Sequence, residues 1–350
     1  MKNHKITITE SILVAVSEID EFKGSWAFLK NLSPDKLISL RKIATIESVG
    51  SSTRIEGVKL TDDAVERLLS GLQVRSFKSR DEEEVAGYAE LMNVIFESYM
   101  DIPLTENHIK QLHGILLQYA SKDERHRGDY KKLPNDVHAF NEKGKSLGVV
   151  FSTATPFDTP IKMTELVSWS NQAIFDKKLH PLLIVATFIV HFLAIHPFQD
   201  GNGRLSRALT TLILLKLGYS YIPYASLESI VEQSKERYYL ALRKSQKTID
   251  EDTYNIQPWL DYFLQTLQTQ KDNLVKKLDG IKATMNLPEL SRKILELAKS
   301  LGRITFSDIT DNINANPRTL RYYLYNLAND GYLIKSGERK STWYRLGKLD

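Results

Sequence analysis

The sequence has no cysteine among its 350 residues, which excludes both a disulfide-stabilised scaffold and a site built on thiolates. It also lacks any run approaching the ~20 apolar residues that a membrane-spanning helix needs. Near the N-terminus the apolar stretch Ile12–Val16 is too short for the core of a signal peptide. These absences fit a protein that stays out of the membrane, and we expect a cytoplasmic location.

Most of the chain has no excess of positive or negative charge. The 47 Lys and Arg residues face 43 Asp and Glu, a formal net charge of +4. Residues 287–350 hold 11 of the basic and 7 of the acidic side chains, so residues 1–286 are neutral. This asymmetry predicts two parts with different partners. The 42% apolar and 26% charged residues are typical of a globular protein long enough for more than one core.

Most of the chain predicts α-helix. Ser33-Pro34 is a helix cap followed by proline at the first helical position, and Ser79 with Glu82 has the capping-box spacing. Further helical segments are predicted to begin near 106, 162, 181 and 228, after 203, and over 257–285. Residues 126–160 are rich in glycine and proline around short β-prone pieces, which predicts an irregular segment with a hairpin.

The last 64 residues form a pattern of their own. Helices are predicted over 289–300, 307–313 and 318–329, and two β-prone pieces follow at 332–335 and 342–346. Three helices and a hairpin in this order predict a winged helix-turn-helix domain over residues 287–350, with its boundary at 286–288.

The segment HPFQDGNGRLSR, residues 196–207, carries the strongest chemical signal. The nearly continuous apolar helix 182–195 leads to His196, and Pro197 forces the chain to turn. Gly201 and Gly203 let the backbone approach a ligand closely. A second apolar helix then begins, and its free N–H groups would face the turn and form an anion site.

The polar side chains of this segment suit a phosphate ligand. Arg204 and Arg207 share one helical face and can reach the same anion. Asp200 beside a phosphate is suited to Mg²⁺, and His196 is the group here that can act as a base near neutral pH. A tight turn with glycines that only permit close packing is the alternative. Packing does not require this combination of side chains, so we favour the functional interpretation.

These twelve residues resemble the signature of Fic-domain proteins, His-Pro-Phe-x-Asp-Gly-Asn-Gly-Arg-x-x-Arg, at all nine fixed positions. The range 125–160 also looks like the upstream flap of that family. The resemblance implies a mainly α fold with a helical-bundle core and a β-hairpin flap. Within it we expect an N-terminal helical region over 1–110 and the catalytic core over 111–285.

The resemblance further implies transfer of AMP from ATP to a Ser, Thr or Tyr hydroxyl of a target protein or of the chain itself. It makes His196 the base and Asp200 the Mg²⁺ ligand. It assigns ATP binding to six residues of the loop and helix: Gly201, Asn202, Gly203, Arg204, Ser206 and Arg207. Relatives that phosphorylate their targets depart from the signature at the glycines, and both glycines are present here.

A second element, Ser52-Thr53-Arg54-Ile55-Glu56-Gly57, would by itself be an ordinary helix end. Beside a Fic core it resembles the inhibitory motif (Ser/Thr)-x-x-x-Glu-(Gly/Asn) of the subclass whose inhibitory helix precedes the core. By this resemblance Ser52 and Glu56 are inhibitory, with Glu56 pairing with Arg207 and excluding the productive position of the γ-phosphate.

Two further expectations concern ligand contacts. Tyr238-Tyr239 resembles a tyrosine pair found at about this distance after the motif, and we prefer Tyr239 as the adenine contact over simple core packing. The flap around 149–153 could bind an extended target backbone as an added strand.

In the C-terminal domain, Arg318 and Arg321 on the third helix suit DNA phosphates, as do Arg339 and Lys340 in the wing. Protein interaction is the alternative. Two other functions remain open, a DNA-binding regulator that uses the Fic part as a nucleotide sensor and a bifunctional enzyme that also removes AMP. The sequence also leaves a homodimer open.

Overall fold

The computed structural model describes residues 6–29, 34–71, 77–140, 146–249, 251, 254–285, 287–338 and 341–347. The chain divides into two compact units, Met1–Lys271 and Asp272–Asp350. The division falls inside α11 (Gln257–Met285), whereas the sequence places the domain boundary at the end of this helix.

The first unit is built of helices and one hairpin, so the predicted mainly α fold is confirmed. Its helices are α1 (Glu10–Leu29), α2 (Pro34–Ile55), α3 (Asp62–Ser70), α4 (Arg80–Ser98), α5 (Glu106–Leu116), α6 (Thr159–Asp176), α7 (Pro181–Ile195), α8 (Asn202–Lys216), α9 (Leu227–Gln233), α10 (Lys235–Gln246) and the first part of α11. Short 3₁₀ turns lie at Ser121–His126 and Ile222–Tyr224.

Helix starts follow the capping side chains that the sequence supplies. The Ser79 hydroxyl accepts a hydrogen bond from the backbone N–H of Glu82 at 3.3 Å, as predicted. The Glu82 carboxylate accepts from the N–H of Lys78 at 2.6 Å instead of that of Ser79. Thr105 caps α5 in the same way as Ser79 caps α4. These side chains satisfy N–H groups that have no partner within the helix.

The core of the first unit is centred on α7 and α8. Every residue of α7 from Leu182 to Ile195 is buried, and α6, α8 and α10 pack around this helix. Helix α8 is buried along most of its length and contacts α2, α4 and α5. A helix that is apolar on all sides requires neighbours on all sides. The short loop between α7 and α8 is therefore held at both ends by the most buried part of the unit.

The predicted hairpin is formed by β1 (Val137–Phe140) and β2 (Ser146–Phe151), which pair antiparallel. The register runs from Val137 opposite Phe151 to Phe140 opposite Ser146, with two irregularities. Among the described residues, no helix has both the length and the apolar character needed to cross a membrane.

The second unit contains α12 (Glu289–Leu301), α13 (Phe306–Asn312), α14 (Pro317–Asn329) and the antiparallel strands β3 (Leu333–Ser336) and β4 (Trp343–Leu346). Its core is formed by buried aliphatic side chains from all three helices, among them Ile294, Ile309 and Leu324. Order and bounds agree with the prediction to within one or two residues. The identification as a winged helix-turn-helix stays a prediction, and Arg339 and Lys340 lie outside the described residues.

Candidate active site

The chain turns sharply at His196, immediately after α7. His196 has left-handed backbone angles (φ 52°, ψ 60°), and its N–H donates to the Phe192 carbonyl at 2.9 Å. Such angles are uncommon for a residue with a side chain. Pro197 disfavours the right-handed helical conformation at His196, so α7 ends there. The turn leaves the imidazole partly exposed at the end of a buried helix.

The imidazole of His196 has the tautomer and the protonation state that a general base needs. Its Nδ1 lies 3.2 Å from the carbonyl oxygen of Leu193. A carbonyl oxygen only accepts, so Nδ1 carries the proton and Nε2 keeps a free lone pair. Burial lowers the pKa of His196 to about 4, although the hydrogen bond to Leu193 opposes this shift. The ring is therefore neutral at pH 7.

A second histidine, His113 on α5, fixes the loop that follows. Its ring stacks on the buried Phe198 at 3.8 Å between centroids. The backbone N–H of Gly128 donates to Nδ1 at 2.9 Å, so Nε2 carries the proton and donates to the Asp200 carbonyl at 3.0 Å. Burial also lowers the pKa of His113 to about 4. No local pattern singles out His113, because its partner Asp200 lies 87 positions away in the chain.

Asn202 and Ser206 direct their side chains into the loop and helix. The Asn202 amide accepts from the Phe198 N–H at 2.9 Å and donates to the Phe198 carbonyl at 2.7 Å. The buried Ser206 hydroxyl donates to the Gly203 carbonyl at 2.8 Å. Both residues were predicted to bind ATP. Their side chains already have partners within the fold, so the backbone N–H of Asn202, in the first turn of α8, is the better candidate for such a contact. Ser206 lies past that turn, where the backbone N–H groups donate within the helix, as that of Leu205 does to the Gly201 carbonyl.

A buried lysine, also missed from the sequence, connects the base of the flap to the end of α7. The Lys131 ammonium donates to Asn135 Oδ1 at 2.7 Å, Thr153 Oγ1 at 2.9 Å and the Ile195 carbonyl at 3.0 Å. Burial lowers the pKa of Lys131 to about 8. Asn135 in turn donates to the carbonyl of His196 at 3.2 Å. The flap base and the catalytic loop thus share one set of hydrogen bonds.

Arg204 is buried and paired with a carboxylate from α4. Its side chain is 2% exposed, and Nη1 donates to Glu84 Oε2 at 2.9 Å. Nη2 lies 3.5 Å from Asp200 Oδ1. Within the part of the chain that the structure describes, its Nε has no hydrogen-bond partner. A buried N–H without an acceptor is costly, and an anionic ligand would supply one.

Arg207 lies against the end of α2. Its Nε donates to Ser52 Oγ at 2.8 Å, and Nη2 donates both to the Ser52 carbonyl and to Glu56 Oε1, each at 2.8 Å. Nη1 has no partner among the described residues. Burial would lower the pKa of Arg207, but the charge of Glu56 together with the nearby Tyr238 and Tyr88 outweighs burial and raises it. The structure thus brings the predicted inhibitory residues, Ser52 and Glu56, to the predicted phosphate ligand.

Glu56 lies directly over the glycine turn. A Cβ atom added to Gly203 would overlap with Glu56 Oε1, so only glycine leaves room for the carboxylate there. The same added atom would lie 3.4 Å from Arg207 Nη1, the nitrogen without a partner. The Glu56 carboxylate therefore lies where the sequence predicts a bound anion, at the first turn of α8.

The end of α2 is anchored at several points. Arg54 forms two hydrogen bonds with Glu232 on α9, at 2.7 and 3.0 Å, and a third with Asp62 at 2.9 Å. Lys235 donates to the Ile55 carbonyl at 2.6 Å. The Glu56 side chain itself is 32% exposed. The backbone is thus fixed while the carboxylate reaches solvent.

A second carboxylate, buried on α9, is close enough to feel the charge of Arg207. Glu228 on α9 is 2% exposed and accepts from the Tyr88 hydroxyl at 3.0 Å. Burial raises the pKa of Glu228, and the charge of Arg207 opposes this rise. The sequence pattern did not single out Glu228, since an acidic residue in the first turn of a helix is ordinary.

Asp200, the predicted Mg²⁺ ligand, is contacted by two arginines. Arg80 Nη2 lies 3.1 Å from Oδ2, and Arg204 approaches Oδ1. The carboxylate is 40% exposed. The described residues contain no cluster of three or more metal-type ligands. A single accessible carboxylate fits Mg²⁺, which takes few protein ligands and completes its shell with phosphates and water.

Of the tyrosine pair on α10, Tyr239 reaches the surface. Tyr239 is 37% exposed, whereas Tyr238 is 5% exposed and its ring lies 5.8 Å from that of Trp259. Burial raises the pKa of Tyr239, and the nearby charge of Glu56 adds to this rise. Tyr238 therefore packs in the core, and Tyr239 reaches the surface, while the charge of Glu56 acts on the pKa of both.

Comparison with known proteins agrees with this geometry. Residues 103–214 match the model of the Fic/DOC family, and the segment 196–207 lies within the matched range. The chain contains a Fic domain. A crystal structure of a Fic domain containing signaling protein from Bacteroides thetaiotaomicron is similar, at 27% identity and a TM-score of 0.61, over 75% of this chain and 97% of that one.

The fold of the Fic domain recurs in a Fic family protein from Desulfovibrio desulfuricans, with a TM-score of 0.60 and 22% identity over 98% of both chains. Curated proteins named protein adenylyltransferase Fic are similar in sequence. The one from Drosophila willistoni is 27% identical over 58% of this chain and 37% of its own length. The one from Drosophila melanogaster is 24% identical over 81% and 51%. The chain thus spans between about a third and a half of the length of these relatives.

Proposed function

We propose that the protein is an adenylyltransferase that transfers AMP from ATP to a Ser, Thr or Tyr hydroxyl of a target protein or of itself. The observation that carries this proposal is the arrangement, around the N-terminus of α8, of a neutral His196 and two buried arginines, each with an N–H group that has no partner among the described residues. The relatives named protein adenylyltransferase support the choice of reaction.

In this reaction His196 is the base. Its Nε2 takes the proton of the target hydroxyl while that oxygen attacks the α-phosphorus of ATP. The new O–P bond forms as the bond from the α-phosphorus to the bridging oxygen breaks, and pyrophosphate leaves. The Leu193 carbonyl holds the imidazole in the required tautomer and supports the positive charge that the ring gains.

The phosphates would bind along the first turn of α8. The backbone N–H groups of Asn202 and Gly203 in the first turn of α8 would face an anion there, whereas that of Gly201 donates to Asp200 Oδ1. Arg204 Nε and Arg207 Nη1 supply two buried donors that lack an acceptor among the described residues. Asp200 would hold Mg²⁺, which when bound neutralises phosphate charge. Positioning and charge neutralisation contribute most of the catalysis in phosphoryl-type transfer.

The same site would be autoinhibited by Glu56. Its carboxylate bonds to Arg207 at 2.8 Å and covers Gly203, so it competes with a phosphate group for the same donors. Ser52 would help by orienting Arg207 toward Glu56. Activity requires the Glu56 side chain to move aside while the anchored end of α2 remains in place. We place the adenine near Tyr239, whose pKa the charge of Glu56 affects.

The test uses ATP labelled separately at the α- and the γ-phosphate. Incubation of the Glu56→Gly protein with Mg²⁺ and α-labelled ATP should label protein, and Glu56→Gly/His196→Ala should not. The γ-label should appear in pyrophosphate only. Transfer of the γ-label to protein would mean kinase activity and would overturn the proposal.

For the second unit we propose a nucleic-acid surface on α14. Arg318 and Arg321 are exposed on this helix, and Tyr322 and Tyr325 are 62% and 69% exposed. Cationic and aromatic groups along one exposed helix suit phosphate and base contacts. Binding of duplex DNA by the full chain should weaken in Arg318→Ala and in Arg321→Ala, and the dependence on salt should become shallower. Unchanged binding at low salt would exclude this surface.

A further inference from the structure

Arg80, the first residue of α4, is placed among carboxylates at the rim of the site. Its Nε donates to Glu84 Oε1 at 2.7 Å, and its Nη2 lies 3.1 Å from Asp200 Oδ2 and 3.9 Å from Asp123 Oδ2. The side chain is 48% exposed, unlike the two buried arginines of α8. Arg80 is therefore a partly exposed cation in contact with the carboxylate assigned above to Mg²⁺.

The two charged side chains at the edge of the site have the same signs as the ligand groups that would replace them. Glu56, an anion, lies on Arg207 where a phosphate would bind. Arg80, a cation, lies on the accessible oxygen of Asp200 where a metal ion would bind. The other oxygen of Asp200 faces the buried Arg204, so Oδ2 is the one that can exchange partners.

We propose that Arg80 holds the metal-binding position of Asp200 in the resting protein, and that a divalent cation binds only by displacing the Arg80 guanidinium. This inference rests on the proposed function, because it uses Asp200 as the metal ligand. Arg80 can move away from Asp200 and still have a partner. Its shortest contact, with Glu84, lies within the same helix and does not depend on Asp200. Glu84 likewise retains its bond to Arg204.

The solvent exposure of Arg80 and Asp200 determines how strongly Arg80 competes with a metal ion. Ion pairs between partly exposed side chains are weak, because both groups are well solvated when apart. Displacing such a pair should weaken metal binding by about two- to fivefold. Arg80 would thus set the metal concentration that the protein needs and would not act as an absolute block.

The experiment measures Mn²⁺ binding by electron paramagnetic resonance in the presence of α,β-methylene-ATP, which cannot transfer AMP. All proteins carry Glu56→Gly so that the nucleotide phosphates can reach Arg207. Adding Arg80→Met should tighten Mn²⁺ binding about two- to fivefold, and Arg80→Lys should do so less. Arg67→Met, which removes an exposed arginine of α3, is the matched control and should change nothing.

A general loss of positive charge is excluded by a double-mutant cycle. In the presence of Asp200→Asn, Arg80→Met should bring no gain, because the contested carboxylate is absent. Unchanged Mn²⁺ binding in Arg80→Met, or a gain that persists with Asp200→Asn, would overturn the inference. Weaker binding of the nucleotide analogue in Arg80→Met would identify Arg80 as a phosphate ligand instead.

The test of Arg80 by Mn²⁺ binding can succeed or fail independently of the test of AMP transfer. If labelled ATP transfers no AMP but Arg80→Met still tightens Mn²⁺ binding through Asp200, the metal competition stands and the assigned reaction fails. If AMP is transferred but Mn²⁺ binding does not respond to Arg80→Met, only the role of Arg80 fails. Equal melting temperatures of the variants would show that all of them are folded.

Discussion

Arg204 and Arg207 lie three residues apart on α8, are both buried, and are each paired with a glutamate from a distant helix. The Glu84 side chain on Arg204 is 11% exposed, and that of Glu56 on Arg207 is 32% exposed. Glu84 lies within α4, whereas Glu56 follows the last residue of α2. Arg204 therefore keeps its partner Glu84, whereas Arg207 can exchange Glu56 for a ligand.

The surroundings of each pair explain this difference. Removing Glu84 would leave the Arg204 guanidinium buried with only the 3.5 Å contact to Asp200. Removing Glu56 would leave Arg207 with two acceptors on Ser52 and the buried Glu228 nearby. Without Glu56, the buried charge of Arg207 would still be compensated by Ser52 and Glu228. The Glu56 carboxylate can therefore give way to a ligand.

The largest expected effect concerns stability. Breaking a buried ion pair by removing one partner costs about 3–5 kcal/mol. Glu84→Gln should therefore lower the free energy of unfolding by about 3 kcal/mol, and Glu56→Gln by less than about 1 kcal/mol, as for a partly exposed pair. Denaturant titration of the two variants measures both values. Equal losses would remove the distinction between the two arginines.

The next largest effect is on AMP transfer, which should respond in opposite directions to substitution of Glu56 and of Glu84. Glu56→Gly should raise AMP transfer by about 5- to 150-fold, the range of typical coupling free energies between competing states. Glu84→Gln should lower it, because Arg204 loses its orientation. Initial rates with α-labelled ATP provide the measurement. Activation by Glu84→Gln, or inactivity of Glu56→Gly, would contradict this assignment of roles.

The pH dependence separates the base from the ion pairs. Burial lowers the pKa of His196 to about 4, so the base is neutral throughout the neutral range. AMP transfer by Glu56→Gly should not decline between pH 8 and pH 5.5 through titration of His196. An acid limb centred near 6.5, the ordinary value for histidine, would show that the surroundings of His196 do not lower its pKa.

The same lowered pKa values predict how stability depends on pH. His113 and His196 both have folded-state pKa values of about 4, below the ordinary value for the unfolded chain. Between about pH 6.5 and pH 4 the unfolded state binds more protons, so stability falls as the pH falls through this window. His113→Gln should flatten this part of the curve in denaturant titrations at several pH values. An unchanged slope would argue against a buried, neutral His113.

The smallest expected effect is that of salt. The Glu56–Arg207 pair is more exposed and should be screened more than the Glu84–Arg204 pair. Raising NaCl should stimulate wild-type AMP transfer about twofold relative to Glu56→Gly. The ratio of the two rates removes any general effect of salt on ATP binding. A ratio that does not change would show that screening does not reach Glu56.

The sequence predicted what is local and missed what is assembled from distant elements. Residues 196–207 form a contiguous motif, so a single segment supplies the base, the carboxylate and both arginines. Helical period and capping residues placed α4 and the elements of the second unit closely, whereas α1 and α3 were not predicted. Glu56 was found only because its motif resembles a known one.

The remaining site residues carry no local signal. Arg80, His113, Lys131 and Glu228 are ordinary charged or polar residues within helices or loops, and tertiary packing gives each of them a distant partner at the site. A pattern along one segment cannot show a contact between residues more than 60 positions apart. The stacking of His113 on Phe198 and the contact of Arg80 with Asp200 therefore required the structure.

The central claim is that Glu56 occupies the anion site of an AMP-transferring enzyme. Intact-mass analysis after incubation with ATP and Mg²⁺ tests it most directly, with the wild type, Glu56→Gly and Glu56→Gly/His196→Ala compared side by side. We predict that Glu56→Gly gains the mass of one AMP for each modified hydroxyl, while the other two proteins remain largely unmodified. A gain of phosphate mass, or an equal gain of AMP in wild type and Glu56→Gly, would contradict the account.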